Sequence, residues 1–86
     1  MKIKLHRKFI KNLRLVNDDI QNAFRTRLEV FIKNPHDACL KNHSLQGRWR
    51  GYRSINITGD FRAVYREIDG DKIVFSALGT HSQLYN

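Results

Sequence analysis

The sequence predicts an α+β fold in the order β-α-α-β-β-β, with a helical hairpin packed on one face of a four-stranded, mostly antiparallel sheet. Three observations lead there. Apolar and basic residues alternate over Met1–His6. Two stretches between Arg7 and Asn34 carry apolar residues at helical spacing. From Arg48 onward the chain reads as strand, punctuated by the turn signals Thr58-Gly59-Asp60 and Asp69-Gly70-Asp71.

Each element follows from its own pattern. In the first strand Met1, Ile3 and Leu5 share one side and Lys2 and Lys4 the other. Over residues 7–16, Phe9, Leu13 and Val16 make an apolar stripe while Lys8, Lys11 and Arg14 turn outward. Asn17-Asp18-Asp19 breaks that helix and starts the next, with Asp18 and Gln21 spaced as a capping box and the aspartates suited to a helix N-terminus. Ile20, Phe24, Leu28 and Phe31 form the second stripe, which Asn34-Pro35 terminates. These phenylalanines and leucines read as core.

Residues 36–47 are irregular. HDACL suits one helical turn with Cys39 and Leu40 tucked inward, and Gly47 marks a bend. On the following strand Arg53, Ile55 and Ile57 share one face, and Tyr52, Ser54 and Asn56 the other. Phe61–Ile68 is the next strand. Lys72–Leu78 is almost continuously apolar, as a central strand covered on both faces would be. The tail GTHSQLYN leaves the sheet directly after it.

An 86-residue chain that is 41% hydrophobic supports one domain, residues 1–86, built on a single core. Its net charge of +8 points to an anionic partner. Nine Lys/Arg against three acids lie in residues 1–34, and six against one in 41–66. Cys39 is the only cysteine, so an intramolecular disulfide and a cysteine-based zinc framework are excluded, and a reducing cytoplasm fits. Nothing at the N-terminus resembles the apolar core of a signal peptide, and no run is long enough to span a membrane. A soluble, cytoplasmic protein is expected.

The chemistry concentrates between His43 and Tyr65. Arg48, Arg50, Arg53 and Arg62 interleave there with Trp49, Tyr52, Phe61 and Tyr65. Cations supply phosphate affinity and flat rings stack on bases, which is what a single-stranded RNA surface requires. RNA can be cut without a metal or other cofactor, because the ribose 2′-OH is a built-in nucleophile. The protein must then supply a base, an acid and a cation. Histidine suits either proton role. His6 and His36 read as ordinary boundary or surface residues, whereas His43 precedes the basic strand and His81 follows the central one. Asp60 is also normal turn chemistry. Arg62 can clamp a phosphate or snorkel to solvent. Asn56 can donate to phosphate or fill a polar face, and Tyr85 can stack on a base or close the core edge. No His-x-x-x-His, Cys-x-x-Cys or glycine-rich phosphate loop occurs, so a metal site is not expected.

The segment HSLQGRWRGYRSINITGDFRAVYREIDGDKIVFSALGTHSQLY resembles the C-terminal half of the RelE/ParE superfamily of bacterial toxins. It is most similar to the YafQ-like branch, with its H-x-L-x-G-x-W-x-G-x-R segment, its -DW- or -DF- turn and strand, and its terminal GTH-x-x-L-F/Y. The resemblance implies a RelE-like fold and a toxin of a type II toxin–antitoxin system, an mRNA interferase that cuts messenger RNA in the ribosomal A site. It implies an antitoxin partner that covers the basic groove, and operator DNA binding by the complex through that antitoxin. By motif, His43, Asp60 and His81 match the catalytic trio, and Arg62 the arginine that RelE-type members place on the same strand for phosphate. Phe61 stands for the YafQ-like tryptophan and Tyr85 for the terminal aromatic. With Arg48, Arg50, Arg53 and Asn56, these two complete the expected RNA surface. Asn56 departs from the pattern, since YafQ-like members can carry a histidine there; an asparagine does not transfer protons. The implied division makes His81 the acid, gives base and orienting roles to His43 and Asp60, and leaves the transition state to Arg62. A ParE-like gyrase poison would share the fold and charge without needing these three residues around one groove. A non-catalytic RNA- or ribosome-binding module is the other alternative.

Overall fold

In the computed structural model, which describes residues 1–85, the chain runs through β1 (Lys2–Leu5), α1 (Arg7–Leu15), α2 (Asp18–Lys33), β2 (His43–Ser44), β3 (Arg53–Asn56), β4 (Phe61–Ile68), β5 (Lys72–Thr80) and α3 (His81–Tyr85). The strands form one five-stranded sheet in the order β1-β5-β4-β3-β2, with β1 parallel to β5 and the remaining pairs antiparallel. The α+β class and the helical pair agree with the sequence reading. The fifth strand is β2, two residues long and too short to show any period.

Both long helices bury the stripes read from the sequence. Phe9, Phe24 and Phe31 meet Tyr65 and Phe75 of the sheet in an aromatic cluster with ring centroids 5.0–5.7 Å apart in tilted or edge-on pairs. The helix start differs by one residue from the capping-box reading. Asn17, not Asp18, is the cap, its Oδ1 accepting from Ile20 N–H at 3.0 Å. Gln21 instead donates its amide to the Leu13 and Val16 carbonyls at 3.0 and 3.2 Å, which ties α2 to the end of α1. His6 caps α1, and His36 is exposed.

Leu40 is buried in the short helical turn Ala38–Leu40, but Cys39 beside it is exposed rather than tucked in. A single such turn can bury only one of two neighbouring side chains. Among the described residues no helix is long and apolar enough to cross a membrane.

One irregularity sets up the far face of the sheet. Val64 pairs with Ala77 but Tyr65 with Phe75, so Ser76 is an extra residue on β5. The bulge shifts the alternation: Ile73 and Phe75 face the helices before it, and after it Leu78 does so while Ala77 turns away. Ala77, Val64 and Leu84 seed a second, smaller apolar cluster with Leu45, Trp49, Tyr52 and Tyr85 packed against it. The apolar run of β5 is thus covered on both sides, as its composition predicts.

Phe75 is fully buried and touches four other rings. Phe75→Ala should therefore lower the unfolding free energy by about 3–5 kcal/mol, a large part of the roughly 5–15 kcal/mol typical of a domain. Urea denaturation followed by circular dichroism measures it; a loss under about 1 kcal/mol would contradict this packing.

Candidate functional site

Register decides which side chains meet on the face away from α1 and α2. His43 lies opposite Ser54, Ser54 opposite Val64, and Val64 opposite Ala77. One step along, Asn56 lies opposite Arg62, and Arg62 opposite Gly79. Since strand residues alternate between faces, both rows lie on one surface, and His43, Asn56 and Arg62 rise from it together.

The fourth participant arrives by a fold-back. After Thr80 the chain turns into α3, held by a reciprocal capping box. Gln83 Oε1 accepts from Thr80 N–H at 2.8 Å, and Thr80 Oγ1 accepts from Gln83 N–H at 3.3 Å. Gly79 eases the return, because a Cβ there would sit 3.0 Å from Gln83 Oε1 and the capping amide would have to shift. The Leu84 carbonyl accepts from Trp49 Nε1 at 2.8 Å and Arg48 Nη2 at 3.1 Å. Tyr85 donates its hydroxyl to the buried Ser54 Oγ at 2.9 Å. The sequence reading treats this segment as a tail. Its Thr-x-x-Gln spacing was the available sign of a helix start.

The result is an open cleft of about 530 Å³ lined by Lys41, His43, Leu45, Gln46, Asn56, Arg62, His81 and Tyr85. No carboxylate lines it, and among the described residues no Lys or Arg side chain pairs with an acid within 4.0 Å, so the cleft is basic. His43 Nδ1 lies 2.8 Å from the Lys41 carbonyl. A carbonyl only accepts, so the neutral ring carries its proton on Nδ1 and leaves Nε2 as an open acceptor. Arg62 donates Nη1 to the carbonyls of Thr58, Gly59 and Phe61 at 3.3, 3.2 and 3.2 Å. That fixes one end of the guanidinium and leaves its other donors for an anion. The His81 ring meets Tyr85 edge-on, with centroids 4.9 Å apart.

The cleft therefore gathers His43, Arg62, His81, Asn56 and Tyr85 from the sequence-derived set. It does not gather the rest. Asp60 is exposed in the turn between β3 and β4, outside the lining, and reaches the site through its backbone carbonyl, which accepts from His81 N–H at 3.3 Å. Arg48 is engaged with Leu84, and Arg50 is exposed just before β3. Arg53 and Phe61 face the helical side of the sheet, Phe61 packed against the core there. Lys41, Leu45 and Gln46 line the cleft unforeseen. Lys41 lay in plain view two positions before His43, in a segment read only as irregular.

The whole chain, residues 1–86, matches the family model described as bacterial toxin of type II toxin-antitoxin system, YafQ. The mRNA interferase toxin YafQ of Escherichia coli K12 is 33% identical over 66 residues, covering 74% of this chain and 71% of that protein. Crystalline YafQ from E. coli BL21(DE3) superposes with a TM-score of 0.82 at 27% identity, covering 99% of this chain and 98% of that one. The toxin in the E. coli DinJ–YafQ complex gives a TM-score of 0.78, with 27% identity and 99% and 98% coverage.

The hydroxyl pair that holds α3 gives a direct test of the site's construction. Tyr85→Phe strands the buried Ser54 hydroxyl and should cost about 1–3 kcal/mol, while adding Ser54→Ala should recover most of that loss. Trp49, the only tryptophan, lies in the same cluster and reports unfolding by fluorescence. Wild-type stability in Tyr85→Phe would show that the pair contributes nothing.

Proposed function

The chain belongs to the YafQ family of bacterial type II toxins, and from that premise we propose that it is an mRNA interferase whose cutting chemistry takes place between His43 and His81. One observation carries the reading. Two imidazoles from opposite ends of the site, one on β2 and one on α3, line the same basic cleft. A gyrase poison would have no use for that arrangement.

The proposed reaction needs only the groups at hand. His43 Nε2 takes the proton from a ribose 2′-OH, and the freed oxygen attacks the adjacent phosphorus. As the bond from phosphorus to the 5′ oxygen breaks, protonated His81 gives its proton to that oxygen. The products are a 2′,3′-cyclic phosphate and a 5′-hydroxyl, and proton exchange with water resets both rings. The free end of Arg62, with Lys41 nearby, stabilises the extra negative charge of the phosphorane. Asn56 contributes hydrogen bonds to phosphate. Tyr85 keeps its ring against His81, and Asp60 orients the start of α3 through its carbonyl.

The same reading gives the chain an antitoxin partner and messenger RNA on the ribosome as substrate, in the cytoplasm. The toxin–antitoxin complex would bind operator DNA through the antitoxin. The net charge of +8 supports both an anionic substrate and a partner able to mask it.

Expression of His43→Ala or His81→Ala, followed by mapping of messenger RNA ends, tests the roles. Cleavage within translated codons should fall by ~10²–10⁴ in either variant. Wild-type cutting and growth arrest by both would remove the pair from the chemistry. Arg62→Ala should weaken cleavage and flatten its dependence on salt; an unaltered rate would take Arg62 out of the site.

A further inference from the structure

The segment that carries His43 has little of its own to hold it. Strand β2 pairs with β3 at only two positions, and a two-residue ladder does not fix a ring's location by itself. His43 and its neighbour Lys41 are exposed, and Lys41 adopts a left-handed conformation, φ +48°, that a lysine does not choose freely. That conformation aims the Lys41 carbonyl at His43 Nδ1. Something must hold residues 41–44 in this shape.

Asn42 does so. Its side chain lies on the helical side of the sheet while that of His43 lies on the cleft side. Asn42 Nδ2 donates to the Pro35 carbonyl at 2.9 Å and to the Tyr65 hydroxyl at 2.7 Å. Its Oδ1 accepts from Arg53 Nε at 2.8 Å. One amide thus joins the connection after α2, the middle of β4 and the start of β3 to the backbone just before the proposed base. Tyr65 is 3% exposed and packed among the core rings, so the anchor is rigid. An amide with its donors and acceptor engaged in this geometry has one orientation, and the backbone on either side is fixed with it.

We propose that Asn42, clamped by Arg53 and Tyr65 from the helical side of the sheet, is the positioning residue that sets the His43 ring in the cleft. Arg53 accordingly acts through Asn42 and not on RNA. The proposal deepens the preceding reading and takes from it that His43 is the base.

The test is nitrogen NMR of the full-length chain at about pH 8, where imidazoles are neutral, combined with cleavage kinetics. Wild type should show His43 as the Nδ1–H tautomer. In Asn42→Ala and Arg53→Ala that signature should drift toward the mixture of a free ring, with His81 unmoved. The turnover number should fall by about 10–10²-fold with KM nearly constant. Arg53→Ala removes a half-exposed side chain and leaves the aromatic core intact, so it carries the test should Asn42→Ala unfold. Unchanged His43 signals in the folded variants would overturn the proposal. So would a raised KM with a shallower salt slope at constant turnover, because that is the signature of a lost phosphate contact. The NMR comparison reads the ring itself, and so decides the positioning claim whether or not His43→Ala abolishes cutting.

Discussion

The site depends on a hydroxyl that has nowhere else to turn. Ser54 is the one buried polar side chain among the described residues, fully enclosed in the middle of β3, and Tyr85 supplies its partner. Had Tyr85 been elsewhere, Ser54 would face desolvation without compensation, a larger penalty than the bond's own net worth. The five residues of α3 are far too few to be helical on their own account. They are helical because the capping box and the Leu84 carbonyl contacts hold the two ends of the segment, and because this hydroxyl satisfies a buried group that would otherwise be left unpaired. His81 rides on that segment. The apolar cluster beneath it is small, so polar satisfaction, more than burial, brings the second imidazole over the sheet.

The large core plays a different part. Five interlocking rings fix the twist and spacing of β4 and β5, and the bulge at Ser76 then switches which residues of β5 face the open side. The switch puts Ala77 in line with His43, Ser54 and Val64, and Gly79 opposite Arg62. Small residues on this stretch of β5 leave the room that α3 occupies. A domain with one principal core can therefore dedicate one face of its sheet to stability and the other to a site.

Much of this was legible because period alone carries it. The stripes Phe9/Leu13 and Phe24/Leu28/Phe31, the turns at 58–60 and 69–71, and the buried character of Lys72–Leu78 follow from spacing and glycine chemistry. What escaped was short or nonlocal. Strand β2 has no period to read, and the Thr80/Gln83 box follows so closely on an apolar strand that it reads as its frayed end. The arginines are the more instructive case. Arg48, Arg50, Arg53 and Arg62 look like one basic ribbon along the chain, yet alternation already separates Arg53, in phase with Ile55, from Asn56. Interleaved charge and aromatic residues on a strand describe two surfaces, and only one of them is the cleft.

The two imidazoles also differ in ways that separate their proposed roles. His43 has its Nδ1 engaged by a carbonyl at 2.8 Å, which stabilises a single neutral tautomer with Nε2 open. A ring with one nitrogen fixed and the lone pair of the other aimed into the cleft suits the base, whose partner, the 2′-OH, is set by the sugar. His81 touches the edge of Tyr85 and makes no ring hydrogen bond among the described residues. Its ring is freer to follow the departing 5′ oxygen, whose position changes as the bond to phosphorus lengthens. Asn56 stands between them on the sheet with Arg62 opposite, and an amide there can orient the phosphate without competing for the proton. The asymmetry lies in the hydrogen bonds each ring is given, and it favours base at His43 and acid at His81 over the reverse.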